Sequence, residues 1–371
     1  MALNDKKPLA PPAAAPADWR HESGPLRNFL DDPSVSEIMV NRHDCIFIEK
    51  GGVVHALEGG FSSAEALNRF AQACAVSAGR ELNRRHPCLD TRLPDGSRLS
   101  IIIPPVALDG PIITIRKHNK RNLNHVELTQ LGAVDDKLLV FLYQLVVCRQ
   151  NLIVSGGTSS GKTTLLNVLS SFIPGKERVV TIEDTAELNL PVRNLVRMES
   201  RPEIGQDPGV STHELVLSAL RMRPDRIIVG ECRGSEAWDM LLAMNTGHEG
   251  SMTTLHANSA YDALRRLEAM VLRSGQEVPL NMIKTDIAST LNFVVHMERQ
   301  ADGVRRVTEV VEVVGRDGDN YDVREIFKWS AAGGFVSTGH VPEFVSNPTH
   351  PDLQLSPDFF SPKYKYAPSA A

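Results

Sequence analysis

Gly156-Gly157-Thr158-Ser159-Ser160-Gly161-Lys162-Thr163 has the spacing GxxxxGK[ST], and each residue type in it answers a need of polyphosphate chemistry. Glycines let successive backbone N–H groups turn into one concavity, and the N-terminus of a following helix adds partial positive charge. The Lys162 ammonium can reach the β- and γ-phosphates, and the Thr163 hydroxyl can ligate Mg2+. An apolar run, Asn151 to Ser155, precedes the glycines and a helical stretch, Thr163 to Phe172, follows them. That is the strand–loop–helix setting the motif requires. Residues Gly156 to Thr164 therefore read as a site for a nucleoside triphosphate.

Two further strands run into acids. Arg226-Ile227-Ile228-Val229-Gly230-Glu231 ends in a carboxylate, where a parallel sheet delivers side chains to the crevice beyond its C-terminal edge. An Asp usually precedes the last Glu of such a strand; here Gly230 stands in its place. Glu231 then serves the Mg2+ shell or the attacking water, and the residues alone do not apportion the two. Thr181-Ile182-Glu183-Asp184 repeats the arrangement, making Glu183 a candidate base or water-orienting group, or else a loop acid. His248 and His256 flank a third strand, Ser251 to His256. Either could be structural, or a neutral imidazole that bonds the γ-phosphate and senses its loss. Metal ligation by them is disfavoured, because no third Cys or His has suitable spacing. Hydrolysis at such a loop usually wants one more cation than Lys162 and Mg2+; Arg98, Arg116, Arg221, Arg223 and Arg233 are the arginines to consider.

The elements that must hold these residues fall into two groups. Residues 1 to 20 are rich in Pro and Ala and read as a flexible tail. From 21 to 118 the pattern is α+β. Alternating segments (Ser36 to Asn41, Ile46 to Lys50, Val53 to Leu57) precede a helix with Ala66, Phe70, Ala73 and Cys74 at helical spacing; Leu99 to Ile103 and Ile112 to Arg116 follow a turn at Asp95-Gly96. The polar stretch Lys117 to Asn124 is the best domain boundary, either a solvated linker or a hinge, and the linker itself is placed at 119–130. From 131 to 345 strands and helices alternate, the signature of a parallel sheet with crossover helices. Ser211 to Glu214 reads as a capping box, Ser235 as a helix cap, and Arg305 to Val314 with Asp322 to Trp329 as an antiparallel appendage. Residues 346–371 read as a loose tail.

Composition sets limits. Of the 371 residues 42% are hydrophobic, 5% aromatic and 23% charged, with net charge -5. This excludes wholesale disorder and gives no electrostatic case for tight nucleic-acid binding. Five cysteines without CxxC spacing argue against a disulfide framework or zinc knuckle. The longest apolar stretches, such as Leu138 to Val147, stop well short of the ~20 residues of a spanning helix, so any membrane association is expected to be peripheral.

The ordered set GGTSSGKTT, TIEDTAEL, RPDRIIVGECRG and TGHEGSMTTLHANS closely resembles the ATPases of type II and type IV secretion and type IV pilus systems. Within them it is most similar to the CpaF-like branch that drives Tad (Flp) pilus assembly. The resemblance spans about residues 21 to 345 and implies a RecA-like P-loop domain behind a smaller α+β, PAS-like N-terminal domain. It makes Gly156 to Thr164 the Walker A loop, Glu183 and Asp184 the Asp box, Glu231 the end of Walker B, and His248 and His256 the His box. ATP or ADP and Mg2+ would bind there, with Thr163 and Glu231 at the metal and Glu183, Glu231, Lys162, His256, Arg98 and Arg116 catalytic. It further implies a homo-hexamer at the cytoplasmic face of the inner membrane, acting on a polytopic platform protein and holding no nucleic acid stably. The missing paired CxxC insertion of many type II secretion relatives argues against that branch. A retraction motor and a conjugation-type DNA-transfer ATPase are the competing roles.

Overall fold

The computed structural model describes residues 19–117, 123–201, 203, 208–275, 277–364 and 366. The chain divides into two compact units, Met1–Arg121 and Asn122–Ala371.

In the first unit the short alternating segments pair into a six-stranded antiparallel sheet of order β3-β2-β1-β6-β5-β4. The strands are β1 (Val35–Arg42), β2 (Cys45–Lys50), β3 (Val53–Ala56), β4 (Cys88–Arg92), β5 (Arg98–Ile102) and β6 (Ile112–Arg116). Their alternation puts Ile38, Val40, Leu99, Ile101, Ile113 and Ile115 into one core with Leu67, Phe70 and Cys74 of helix Ala64–Ser77. The Ser63 hydroxyl caps that helix by accepting from the Ala66 amide. Trp19 is buried in the same core, its ring 6.2 Å from that of Phe70. A buried indole is a large apolar contribution, so Trp19, expected within the tail, belongs to this core; the rest of the expected tail, residues 1–18, lies outside the described residues.

The second unit is a nine-stranded sheet of order β15-β14-β13-β12-β7-β11-β10-β8-β9. Its strands are β7 (Leu152–Gly156), β8 (Arg178–Glu183), β9 (Asn194–Glu199), β10 (Arg226–Val229), β11 (Met252–His256), β12 (Phe293–Arg299), β13 (Arg305–Asp317), β14 (Asn320–Ser330) and β15 (Gly334–Ser337). From β12 to β9 all neighbours are parallel, and β13 to β15 extend the sheet antiparallel. The mixed α/β class with a parallel-sheet second unit is thus as expected. β7 and β10 are buried along their whole length, as strands covered on both faces must be. Leu152 and Val154 face one core while Ile153 faces the other.

Three expectations need correction. Residues 346–371 are not loose throughout: Phe359 and Phe360 are buried, and Phe360 meets Phe141 edge-on at 5.5 Å. A helix, His125–Gln130, with a full Asn124/Glu127 capping box, occupies the second half of the linker span; residues 118–122, with Lys120 and Arg121, lie outside the described residues. Ser235 has helical dihedrals and makes no side-chain cap; the Glu236 carboxylate instead ties down the loop before the helix, accepting from the Arg233 and Gly234 amides at 2.5 and 2.8 Å. The Ser211/Glu214 box is present.

At the amino edge of the parallel strands Arg226 is fully buried. Its Nε and Nη2 donate to Glu177 at 2.6 and 3.1 Å, and its Nη1 donates to the Val146 carbonyl at 2.7 Å. Removing one partner of such a pair strands the other charge away from water. Glu177→Ala is expected to lower unfolding free energy by about 3–5 kcal/mol in urea denaturation, and a loss within the error of a surface substitution would refute this account of the pair.

Candidate nucleotide site

The order β7-β11-β10-β8 lines up four strand ends at one edge. Gly156 pairs with His256, and β10 and β8 run on to Glu231 and Glu183 beside them. The loop after β7 is shaped by residues that are hard to replace. A β-carbon on Gly156 would run into the Met297 carbonyl, Gly161 has φ 99°, and Ser159 has φ 57°. Helix Lys162–Ser170 starts at Gly161 with no side-chain cap, and a helix N-terminus of this kind favours an anion. Lys162 is buried. Its Nζ donates to the Gly156 and Gly157 carbonyls at 3.1 and 2.7 Å and lies 3.4 Å from His256 Nδ1.

From there a line of charged and polar groups crosses the edge. His256 Nε2 is 3.0 Å from Glu231 Oε1, Glu231 Oε2 accepts from Arg233 Nη2 at 2.6 Å, and Arg233 reaches Asp184 at 3.5 Å. Burial, and then the Lys162 charge, hold the His256 imidazole below its ordinary value, with Glu231 opposing. The ring is therefore neutral near pH 7, able to accept at Nδ1 and donate at Nε2. Asp184 is structural: its Oδ1 accepts from Ser200 and Thr212 at 3.0 and 2.9 Å.

Glu183 is 3% exposed, and burial pushes its carboxyl above the usual range. Its Oε1 accepts from the Glu187 and Leu188 amides, both at 2.9 Å. A β-carbon at Gly230 would lie 3.0 Å from Glu183 Cγ, tighter than packing tolerates without a shift. This gives a reason for Gly230 where an acid is usual: the space belongs to Glu183.

The residues present fit a Mg2+-nucleotide complex. Ser160 Oγ and Glu183 Oε2 are buried oxygens without a hydrogen bond, each costing about 1–3 kcal/mol unless something satisfies it. Thr163 lies in the first helical turn, half-buried beside Lys162.

Other candidates lie elsewhere. His248 sits at the amino end of β11, Nδ1 3.1 Å from the Ala243 carbonyl. Met252 pairs with Leu152 at the start of β7, so the length of β11, roughly 13 Å, separates His248 from the loop. Within one chain it is not a loop ligand. Arg221 and Arg223 likewise precede β10, at its amino edge. In the first unit Arg98 of β5 pairs directly with Arg116 of β6 and with Arg92 of β4. Like charges so placed repel, and Arg92 as a third member was not read from sequence. Also missed were Met297, His296 and Arg305, which pack on the loop from β12 and β13; only the lone polar His in the apolar Phe293 to Met297 run hinted at them.

A family model described as type II/IV secretion system protein matches residues 20–331. The chain belongs to this family. Among its relatives, the type IV secretion system protein PtlH of Bordetella pertussis is 35% identical over 346 residues, covering 85% of this chain and 99% of that one. A putative conjugal transfer protein of Mycobacterium tuberculosis is 32% identical over 319 residues, covering 84% and 89%. The fold is shared with the Legionella pneumophila ATPase DotB, at a TM-score of 0.58 and 21% identity over 84% of each chain. No helix among the described residues is long and apolar enough to cross a membrane.

Because His256 is held neutral by folding, it lends stability that is present above the ordinary imidazole value and is lost as pH falls through the depressed one. His256→Gln is expected to lose less stability than the wild type between pH 7.5 and pH 5.5 in parallel denaturation curves. Equal losses in the two proteins would contradict the assignment.

Proposed function

We propose that this chain is an ATP-hydrolysing motor subunit of an envelope-spanning secretion or pilus machine. The observation that carries the proposal is the line from Lys162 through His256 to Glu231, beside the buried carboxyl of Glu183, at the mouth of a phosphate loop. Family membership and the names of the relatives support the biological setting.

Lys162 and the loop amides hold the polyphosphate. Thr163 and Glu231 would hold Mg2+, which when bound would supply charge neutralisation at the phosphates. Glu183, made more basic by burial, takes the proton of the water directed at the γ-phosphorus. His256 donates from Nε2 and reports whether the γ-phosphate is present, and Glu231 is its other partner. On the family resemblance, Arg98 and Arg116 supply further cations to the triphosphate. Turnover would work within a homo-hexamer at the cytoplasmic face of the inner membrane, against a polytopic platform protein. The wording of the four motifs supports the CpaF-like Tad branch, with retraction as the opposite sense of the same motor.

A second reading, an ATPase for DNA transfer, is favoured by the conjugal-transfer relative. The net charge of -5 argues that such a motor would not itself grip DNA; a salt-sensitive gel shift with purified protein would reverse that.

Steady-state phosphate release tests the central proposal. Lys162→Ala is expected to abolish nearly all of it, and unchanged turnover would sink the assignment. Glu183→Gln should lower kcat by roughly 10²–10⁴ with nucleotide affinity retained, whereas Glu231→Gln should trap bound nucleotide. Should Glu183→Gln turn over normally, the base is not Glu183.

A further inference from the structure

We infer that Arg305 is a positioning residue for the phosphate loop, acting through the Ser159 carbonyl; the inference rests on the nucleotide reading of that loop. Ser159 is a non-glycine residue at φ 57° on the crest of the loop. Such a residue keeps a left-handed backbone only where its surroundings over-determine it. Arg305 Nε donates to the Ser159 carbonyl at 2.8 Å. The aliphatic part of the same side chain covers the end of the loop, with Cδ 3.4 Å from where a β-carbon of Gly161 would stand and Met297 Cε at the same distance. The start of the loop is fixed from β12. The Met297 carbonyl abuts Gly156, and His296 Nδ1 lies 2.9 Å from the buried Ser155 hydroxyl. Of these contacts, only the Arg305 bond reaches the crest.

The consequence is chemical. The loop amides can converge on a phosphate only if each peptide plane keeps its tilt, and Ser159 is the plane least able to hold its tilt unaided. A bond from a guanidinium N–H is of the stronger, charge-assisted kind, so its removal is expected to be felt as nucleotide affinity.

Arg305→Met keeps the aliphatic cover over Gly161 and removes the donor. Titration with Mg2+·ADP by calorimetry is expected to give a Kd about tenfold weaker than the wild type, with an unchanged melting temperature. Amide hydrogen exchange at residues 157–161, followed without nucleotide, should be faster in the variant. In a Ser159→Gly background, where the left-handed backbone costs little, the effect of Arg305→Met should shrink to threefold or less. Wild-type affinity and exchange in Arg305→Met would overturn the inference while leaving the proposed function intact. An undiminished tenfold effect in the Ser159→Gly background would also overturn it, because Arg305 would then act on the nucleotide by charge and not through Ser159. A wild type that binds Mg2+·ADP no better than Lys162→Ala would overturn both readings, and that result needs no change at position 305.

Discussion

An ammonium group 3.4 Å from an imidazole nitrogen works only if the imidazole is uncharged, and the carboxyl edge of the second sheet is organised around that condition. Burial keeps His256 neutral, so one ring nitrogen can accept from Lys162 while the other faces Glu231. Were the ring charged, Lys162 would be repelled from the loop carbonyls and Glu231 drawn into a closed ion pair. The neutral ring instead stands between the ammonium and the acid, 3.4 and 3.0 Å from them. Arg233 donates to Glu231 from the far side at 2.6 Å, so the acid has a cationic partner that is not the ammonium of the loop.

Close backbone approach is the second constraint. Gly156 lies against the Met297 carbonyl and Gly230 against the Glu183 side chain, so two strand ends meet their neighbours without a β-carbon between them. The departure at Gly230 from the usual acidic pair is thus compatible with a working carboxylate, because Glu183 reaches over from the adjacent strand. One carboxylate on each of β10 and β8 replaces two in series on one strand.

Much of this was legible in the sequence. The loop, the two strand-end acids, His256 and the capping box at Ser211 all announce themselves through local spacing. What was not legible depends on partners distant along the chain. β12 reads as an ordinary apolar run, and nothing local says that it flanks β7. His248 resembles His256 by composition, yet the two sit at opposite ends of one strand, a difference set by strand direction and not by residue type. Phe359 and Phe360 lie among Pro and Ser, so composition suggested a loose end, whereas burial of Phe360 against Phe141 and of Phe359 against Phe360 outweighs the cost of ordering the segment.

The strand that carries the phosphate loop has a consequence for biosynthesis. β7 is hydrogen-bonded on one side to residues 252–256 and on the other to residues 293–297, both made long after it leaves the ribosome. Pairings so remote in sequence are slow to form. A nascent chain that has emerged only as far as the helix following the loop carries the whole phosphate motif without either flanking strand. The cradle is therefore assembled late in translation, and until then its glycine-rich segment is a stretch that cellular chaperones would meet unpaired.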